Sequence, residues 1–276
     1  MKLEKIWAVY FSGTGTTRRT VERIAGGIAS RLELPVETVD FSRPAVRQET
    51  LCFGEKDLVV FGTPVYAGRV PNVLLPFLRE KIVGGGALAV PVVLFGNRNY
   101  DDALIELRNI LTADGLHPIA AGAFVGEHSF SRVLGAGRPN AEDEALMDEF
   151  SARVAELAAG LESAPAEPVT VGGQEPIRPY YTPRDRAGNP INILKVKPKT
   201  DMSRCGGCGL CAEVCPMGSI DPADVSRVQG ICIKCCACVK GCPAGAKFFD
   251  DPGYLYHRHE LEAQYARPAE NEVFYL

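Results

Sequence analysis

Nine of the ten cysteines crowd into residues 205–242, where the segments CGGCGLCAEVCPMG and CIKCCACVKGCPAG repeat at an offset of 27 residues. Each has the form C-x2-C-x2-C-x3-C-P. Three thiolates from one short loop can each cap a corner of a cubane cluster, while the fourth, three residues on and followed by proline, is turned towards a partner cluster. The spacing thus assigns Cys205, Cys208, Cys211 and Cys242 to one 4Fe-4S cluster, and Cys232, Cys235, Cys238 and Cys215 to another. Gly206, Gly207, Gly209 and Gly241 leave room for sulfides and free amides. A pair of structural zinc sites is the alternative, but zinc knuckles use pairs of cysteines separated by a longer loop, whereas three at x2-x2 spacing occur twice here. Cys236 and Cys52 lie outside the pattern and read as ordinary thiols.

The second stretch with chemistry in it is YFSGTGTTRRT, residues 10–20, an apolar strand that stops in glycines and hydroxyls and turns helical. Backbone amides and hydroxyls at a helix N-terminus bind phosphate. A P-loop is excluded because no lysine occurs between Lys5 and Lys56, and the dinucleotide fingerprint because Arg18 stands three residues after Gly15. What remains is a loop, Ser12, Gly13, Thr14, Gly15, Thr16 and Thr17, suited to a terminal phosphate such as that of FMN. Arg18 and Arg19 add positive charge in the first helical turn, at a dipole cost that a bound phosphate would remove.

These residues must be positioned by something. Apolar runs at 6–11, 35–40, 57–62, 87–96 and 117–126 alternate with helical candidates near 16–33, 71–82, 100–114 and 140–161. Continuous rather than alternating apolar strands fit a parallel sheet with helices on both faces, so the fold class is α/β, a doubly wound five-stranded parallel sheet over residues 1–162. Residues 163–200 hold seven of the twenty prolines and read as a linker. Fully stretched it would span roughly 125 Å, so it permits any docking of the flanking units. Its Tyr180, Tyr181, Ile191, Ile193 and Leu194 suggest that part of it packs down. Residues 201–250 form a small α+β cysteine domain, and the tail 251–276, with four tyrosines and Phe274, is expected to pack back on the body.

Composition narrows the function. The net charge is -4 and the basic residues are scattered, so nucleic acid is not an expected partner. The longest apolar stretch, residues 84–95, is short of the ~20 residues needed to cross a bilayer and contains Pro91. The first residues read as a strand rather than a signal peptide, and cysteine crowding without a secretion signal points to metal in a cytoplasmic setting. Residues 201–250 balance five basic against five acidic side chains. Clusters with their thiolates would make this part negative and favour a basic docking surface on a partner or on the first domain.

The loop at 10–17 resembles the flavodoxins, whose signature sets an aromatic, a Ser or Thr, a Gly and a Thr after strand one, although the usual asparagine is missing here. Residues 201–250 resemble the bacterial two-cluster ferredoxins. Together the chain is similar to the flavodoxin-ferredoxin fusion proteins of anaerobic and facultative prokaryotes, the EFR family of ferredoxins. The resemblance implies FMN and two 4Fe-4S clusters as cofactors. It places Thr63, Pro64, Val65, Tyr66 and Gly68 on one side of the isoalloxazine and Gly96, Asn97, Arg98, Asn99, Tyr100 and Asp101 on the other. Tyr66 or Tyr100 would stack on the ring, the Gly68 peptide would reorient near N5, and Arg69 and Arg98 would face a reduced flavin. His128, after strand five, and Arg98 are candidates for work on a substrate. The implied function is intracellular electron transfer between clusters, FMN and redox partner proteins, in an anaerobic setting. An FMN-dependent reductase of a small electrophile such as a quinone or dioxygen, and an iron-sulfur redox sensor, are the alternatives.

Overall fold

The computed structural model describes residues 1–276. The main sheet has seven strands, six of them in the order β6-β5-β4-β3-β1-β2: β1 (Lys5–Tyr10), β2 (Val36–Asp40), β3 (Asp57–Pro64), β4 (Leu88–Phe95), β5 (Ala120–Val125) and β6 (Glu272–Tyr275); the seventh, the two residues His117–Pro118, pairs with the start of β4. The first five are mutually parallel. Their order, 2-1-3-4-5, is that of a doubly wound sheet with a switch point between β1 and β3. β6 is antiparallel to β5, pairing Glu272 with Ala123 and Tyr275 with Ala120. The expected five-stranded parallel sheet is thus present, and the tail adds an antiparallel strand that closes its far edge.

Helices cover both faces. On one lie α1 (Thr16–Leu32) and α4 (Ala141–Gly160), on the other α2 (Leu75–Glu80) and α3 (Ala103–Ala113). In α1 the buried residues Thr17, Thr20, Val21, Ile24, Ala25, Ile28 and Ala29 fall at three- and four-residue spacing, the stripe that a helix lays on a sheet. It ends where Glu33 turns left-handed (φ 55°) and its amide bonds back to the Ala29 carbonyl. α4 opens with a reciprocal box: the Asn140 side chain accepts from the Asp143 amide, and the Asp143 carboxylate accepts from the Asn140 amide. A close approach seats α1 on the sheet. A Cβ on Gly62, in β3, would lie 2.3 Å from Val21 Cγ2, so glycine lets the first turns of α1 rest directly on the carboxyl end of β3.

The linker is not free. Val169 and Val171 enter the core beside α3, and the Val169 amide bonds to the Pro118 carbonyl. Asp102, fully buried at the start of α3, accepts from the Arg178 guanidinium and from the Gln174 and Arg178 amides. The Arg178 guanidinium, with these amides, holds the Asp102 carboxyl down to about 2. Tyr180 Oη donates to the Val70 carbonyl and the Tyr181 amide to that of Ala67. These contacts carry the chain as a strap from the foot of the sheet to the carboxyl ends of its strands.

There the cysteine repeats fold with local two-fold likeness. Helix α5 (Leu210–Glu213) and helix α6 (Ala237–Lys240) stand 27 residues apart, and Lys199–Thr200 pairs with Lys247–Phe248. Left-handed residues recur at matching positions: Gly207 and Lys234, Gly209 and Cys236, Gly218 and Gly245. Helix α7 (Pro252–Gln264) follows, with Asp251 capping it and Pro252 in its first turn. Its Tyr254 stacks on Phe249 and leans on Phe130 of the loop after β5, and His257 lies against Tyr181 of the strap. From α7 the chain runs to β6. The cysteine module is thus held to the sheet domain at both of its ends, and no helix in the protein is long and apolar enough to cross a membrane.

Candidate flavin cleft and cluster cavities

At the carboxyl ends of the strands lies a cleft of about 480 Å³. Gly13, Thr14, Thr16 and Thr17 form one wall, Pro64, Val65 and Tyr66 a second, Gly96 a third, and Gly126, Glu127, His128 and Ser129 a fourth. Cys235 of the cysteine module closes it.

The phosphate loop has a distinct donor pattern. The Ser12 amide donates to Ser42 Oγ, and Ser12 Oγ accepts from the Arg18 amide. Ser12 therefore shapes the loop and caps α1 instead of lining the cleft. Between them, the amides of Gly13, Thr14, Gly15, Thr16 and Thr17 donate to no protein group. Gly15 makes this possible by taking a φ of 87° just before the helix. Consecutive free amides at the start of a 17-residue helix form a cradle for an anion, and the terminal phosphate of FMN fits it.

The loop after β3 turns tightly. Tyr66 and Arg69 exchange both backbone hydrogen bonds, with Ala67 (φ 53°) and Gly68 (φ 77°) at the two corners, as in a type I′ turn. A Cβ on Gly68 would meet the Asp101 carboxylate at 2.4 Å. The Ala67 carbonyl is taken by Tyr181 and the Gly68 carbonyl by Asp102. In this structure both carbonyls of the turn, at which the Gly68 peptide is expected to reorient, accept hydrogen bonds from the protein. Arg69 is likewise committed, to the buried Glu106 carboxylate. Thr63 is wholly buried behind the wall.

The loop after β4 lies largely outside the cleft. Asn97 (φ 66°) is buried, and its side chain binds the carbonyls of Tyr265 and Arg267 and the amide of Ala269. Tyr100 is 7% exposed, packed 5.5 Å from Phe95 and bonded through Oη to Glu272. Its ring faces protein, so of the two tyrosines expected to stack only Tyr66 borders the cleft. Arg98 pairs with Asp101 and lies 4.5 Å over the Tyr181 ring, while Asn99 caps the Asp101 amide. Tail and strap cover these residues, and only Gly96 of this loop borders the cleft.

His128 does border it. Its Nδ1 accepts the Phe130 amide, which leaves the proton of the neutral ring on Nε2. Burial, with Lys240, His257 and Arg98 nearby, pushes the imidazole down to about 3. The side chain is a neutral donor, not a cation, across the physiological range.

The cysteines line two further cavities. Cys205, Cys208, Cys211 and Cys242 surround one of about 500 Å³, and Cys215, Cys232, Cys235 and Cys238 one of about 380 Å³. These are the two sets assigned from spacing. Within each the thiols stand around a space, and no three Cys, His, Asp or Glu side chains converge tightly enough to hold a single ion. Four thiols on the walls of an apolar cavity suit a cubane and not a zinc knuckle. The closing cysteine of each repeat accepts an amide at the same offset, Cys215 from Ser219 and Cys242 from Ala246. At Cys242, burial opposes ionisation but the amides of Ala246, Lys247, Ala244 and Gly245 outweigh it and pull the thiol below its ordinary value. The buried Lys247 lines the first cavity, a cation the motif does not reveal. The first cavity meets solvent at Cys208, whereas burial pushes Cys235 and Cys238 in the second up to about 12. Cys236 also borders the second cavity, as a fifth cysteine, but its Sγ contacts Tyr254 Oη and the Lys234 carbonyl and it joins the small core of Ile193, Phe249 and Tyr254.

A doubly wound domain with a phosphate cradle, followed by twin cysteine cavities, defines a flavin and iron-sulfur redox protein. Comparison with known families agrees. The model of the flavodoxin domain matches residues 8–97 and that of the 4Fe-4S binding domain matches residues 198–221. The chain thus joins a segment that matches the flavodoxin domain to one that matches the 4Fe-4S binding domain, which supports an electron-transfer protein of the FMN and iron-sulfur type. No curated protein matches it. Among solved structures it is similar to a flavodoxin from the domain Archaea (17% identity, 55% of this chain and 96% of that one, TM-score 0.40). A Streptococcus pneumonia TIGR4 flavodoxin gives 19% identity over 57% and 99%, and an NADH:FMN oxidoreductase (EMOB) in its apo form 17% over 60% and 92%, both at TM-score 0.40.

Proposed function

We propose that the protein passes electrons between an external one-electron carrier and FMN by way of two 4Fe-4S clusters. Cys205, Cys208, Cys211 and Cys242 would hold the outer cluster, and Cys215, Cys232, Cys235 and Cys238 the inner one. FMN would lie in the cleft with its phosphate on the amides of Gly13–Thr17 and its ring beside Tyr66, Gly96 and His128. The clusters supply one-electron exchange and the flavin one- or two-electron chemistry.

A single observation carries this reading. Cys235 lines both the inner cluster cavity and the flavin cleft, so the two sites share one residue as a common wall. The outer set, with Cys208 exposed, is where a redox partner protein would dock. His128, neutral with its proton on Nε2, would offer a hydrogen bond within the cleft.

The test is reductive titration of anaerobically purified protein, followed by visible absorbance and low-temperature EPR, with FMN, iron and sulfide counted. About eight irons and one FMN per chain, with magnetically coupled clusters, is the expected result. Zinc in place of iron, four irons, or no flavin would overturn it.

A further inference from the structure

Of the residues that border the flavin cleft, one carries a carboxylate: Glu127. It stands next to Gly126, which is packed so closely on the phosphate loop that a Cβ there would lie 2.7 Å from Thr16 Cγ2. A carboxylate in this position repels the anion that the Gly13–Thr17 amides are built to receive. No cation of the flavodoxin domain forms an ion pair with Glu127: Arg18 and Arg19 are exposed on α1, and Arg98 is paired with Asp101. The cancelling charge comes from the other domain. Lys240, in α6 between Cys238 and Cys242, extends across the domain boundary, and its Nζ donates to the Glu127 carboxylate and, at 2.7 Å, to the His128 carbonyl. Its side chain is 14% exposed and that of Glu127 32%, so solvent screens the pair only in part.

We infer that Lys240, supplied by the ferredoxin domain, acts on flavin binding through Glu127: by neutralising that carboxylate at the cleft, it makes FMN affinity depend on the domain being docked. This rests on the assignment of the cleft to FMN. It gives the pair a role beyond fastening. An ion pair that solvent still reaches contributes little to stability, but an uncompensated carboxylate at the cleft that receives a doubly charged phosphate, partly shielded from water, changes affinity by about tenfold or more.

The experiment measures FMN dissociation constants by quenching of flavin fluorescence, using cluster-loaded, flavin-depleted protein under anaerobic conditions. The variants are Lys240→Met, Lys240→Arg, Glu127→Gln and the double Glu127→Gln/Lys240→Met. Lys240→Met is expected to weaken FMN about tenfold, and Lys240→Arg to retain most of the affinity. Glu127→Gln should bind FMN as tightly as the unsubstituted protein or more tightly, because it leaves Lys240 unopposed. The double variant should return to within about twofold of the unsubstituted protein, which a loss of docking alone could not do. Unchanged affinity in Lys240→Met, a double variant as weak as Lys240→Met, or weakening by Glu127→Gln would each overturn the inference while leaving the cleft assignment standing. Failure of the unsubstituted protein to bind FMN would overturn both.

Discussion

Gly13 faces Cys235 with no room for a side chain between them. A Cβ built on the glycine would lie 3.0 Å from the cysteine Cβ and 3.4 Å from Tyr66 Oη. The phosphate loop and a cysteine of the second cavity are therefore packed with no room for a side chain between them, and the lack of one at position 13 is what allows it. Gly13→Val would drive a branched side chain into this contact, at a cost of about 1–3 kcal/mol for overpacking. The expected outcome is faster hydrogen exchange across residues 235–241 and at least tenfold slower flavin reduction by a cluster-directed donor, with iron and FMN contents retained. Unaltered exchange and rate would mean that the contact does not set the domain spacing.

Cys236 occupies the place in the second repeat that Gly209 holds in the first, with the same left-handed backbone (φ 59° and 73°). A non-glycine residue there carries about 1–2 kcal/mol of strain, which Cys236→Gly would relieve while losing a small buried contact of similar worth. The variant is expected to keep its full complement of iron and a Tm within a few degrees. Cys208→Ser, by contrast, should lose iron from the outer cavity alone. Loss of iron in Cys236→Gly would make Cys236 a ligand and undo the assignment of the inner set.

Asp114, at the end of α3, has a buried Oδ2 without a hydrogen-bond partner, and burial pushes its carboxyl up to about 6 despite Arg79 nearby. A carboxylate at a helix C-terminus also opposes the helix dipole. Because the folded-state value lies above the unfolded one, the stabilising form is the protonated one, present in full below about pH 4 and lost as pH rises through 6. Asp114→Asn should accordingly raise stability by about 1 kcal/mol at pH 8, allowing for partial solvent screening, and by nothing measurable at pH 4. Thermal unfolding at the two pH values checks it, and an equal effect at both would mean that ionisation is not the cause.

Asn97→Ala separates fastening from binding. The substitution removes three hydrogen bonds to the segment 265–269 and leaves alanine in a left-handed conformation, together worth about 2–4 kcal/mol. Stability and exchange protection of residues 265–275 should fall clearly, with less than a tenfold change in the FMN dissociation constant. A larger loss of affinity than of stability would return Asn97 to the flavin site.

The parts of this molecule that could be read from the sequence are those whose partners are neighbours in the chain. The C-x2-C-x2-C spacing, the Gly13–Thr17 loop and the apolar runs of β1, β3, β4 and β5 each encode their geometry within a dozen residues, and the crossed use of Cys215 and Cys242 follows from the repeat. The loop after β4 misled for a physical reason. Asn97, Arg98 and Tyr100 are polar or aromatic residues at a strand's carboxyl end, which is where a ligand belongs, but tail and strap supply the partners instead. The four residues of β6 are too few to announce a strand without the open edge of β5 beside them. Lys240 and Glu127 lie 113 residues apart, and no local pattern couples them.

The closure of the sheet by β6 bears on the order in which the protein can be assembled. The edge of β5 is complete only when Glu272–Tyr275 pairs with it, and those residues are synthesised after both cysteine repeats. Domains fold from the N-terminus as the chain emerges, so β5 stays unpaired along one side, a template for unwanted strand pairing, until the cysteine module has been made. Completion of the flavodoxin sheet is thereby timed to follow synthesis of the module that its cleft must meet.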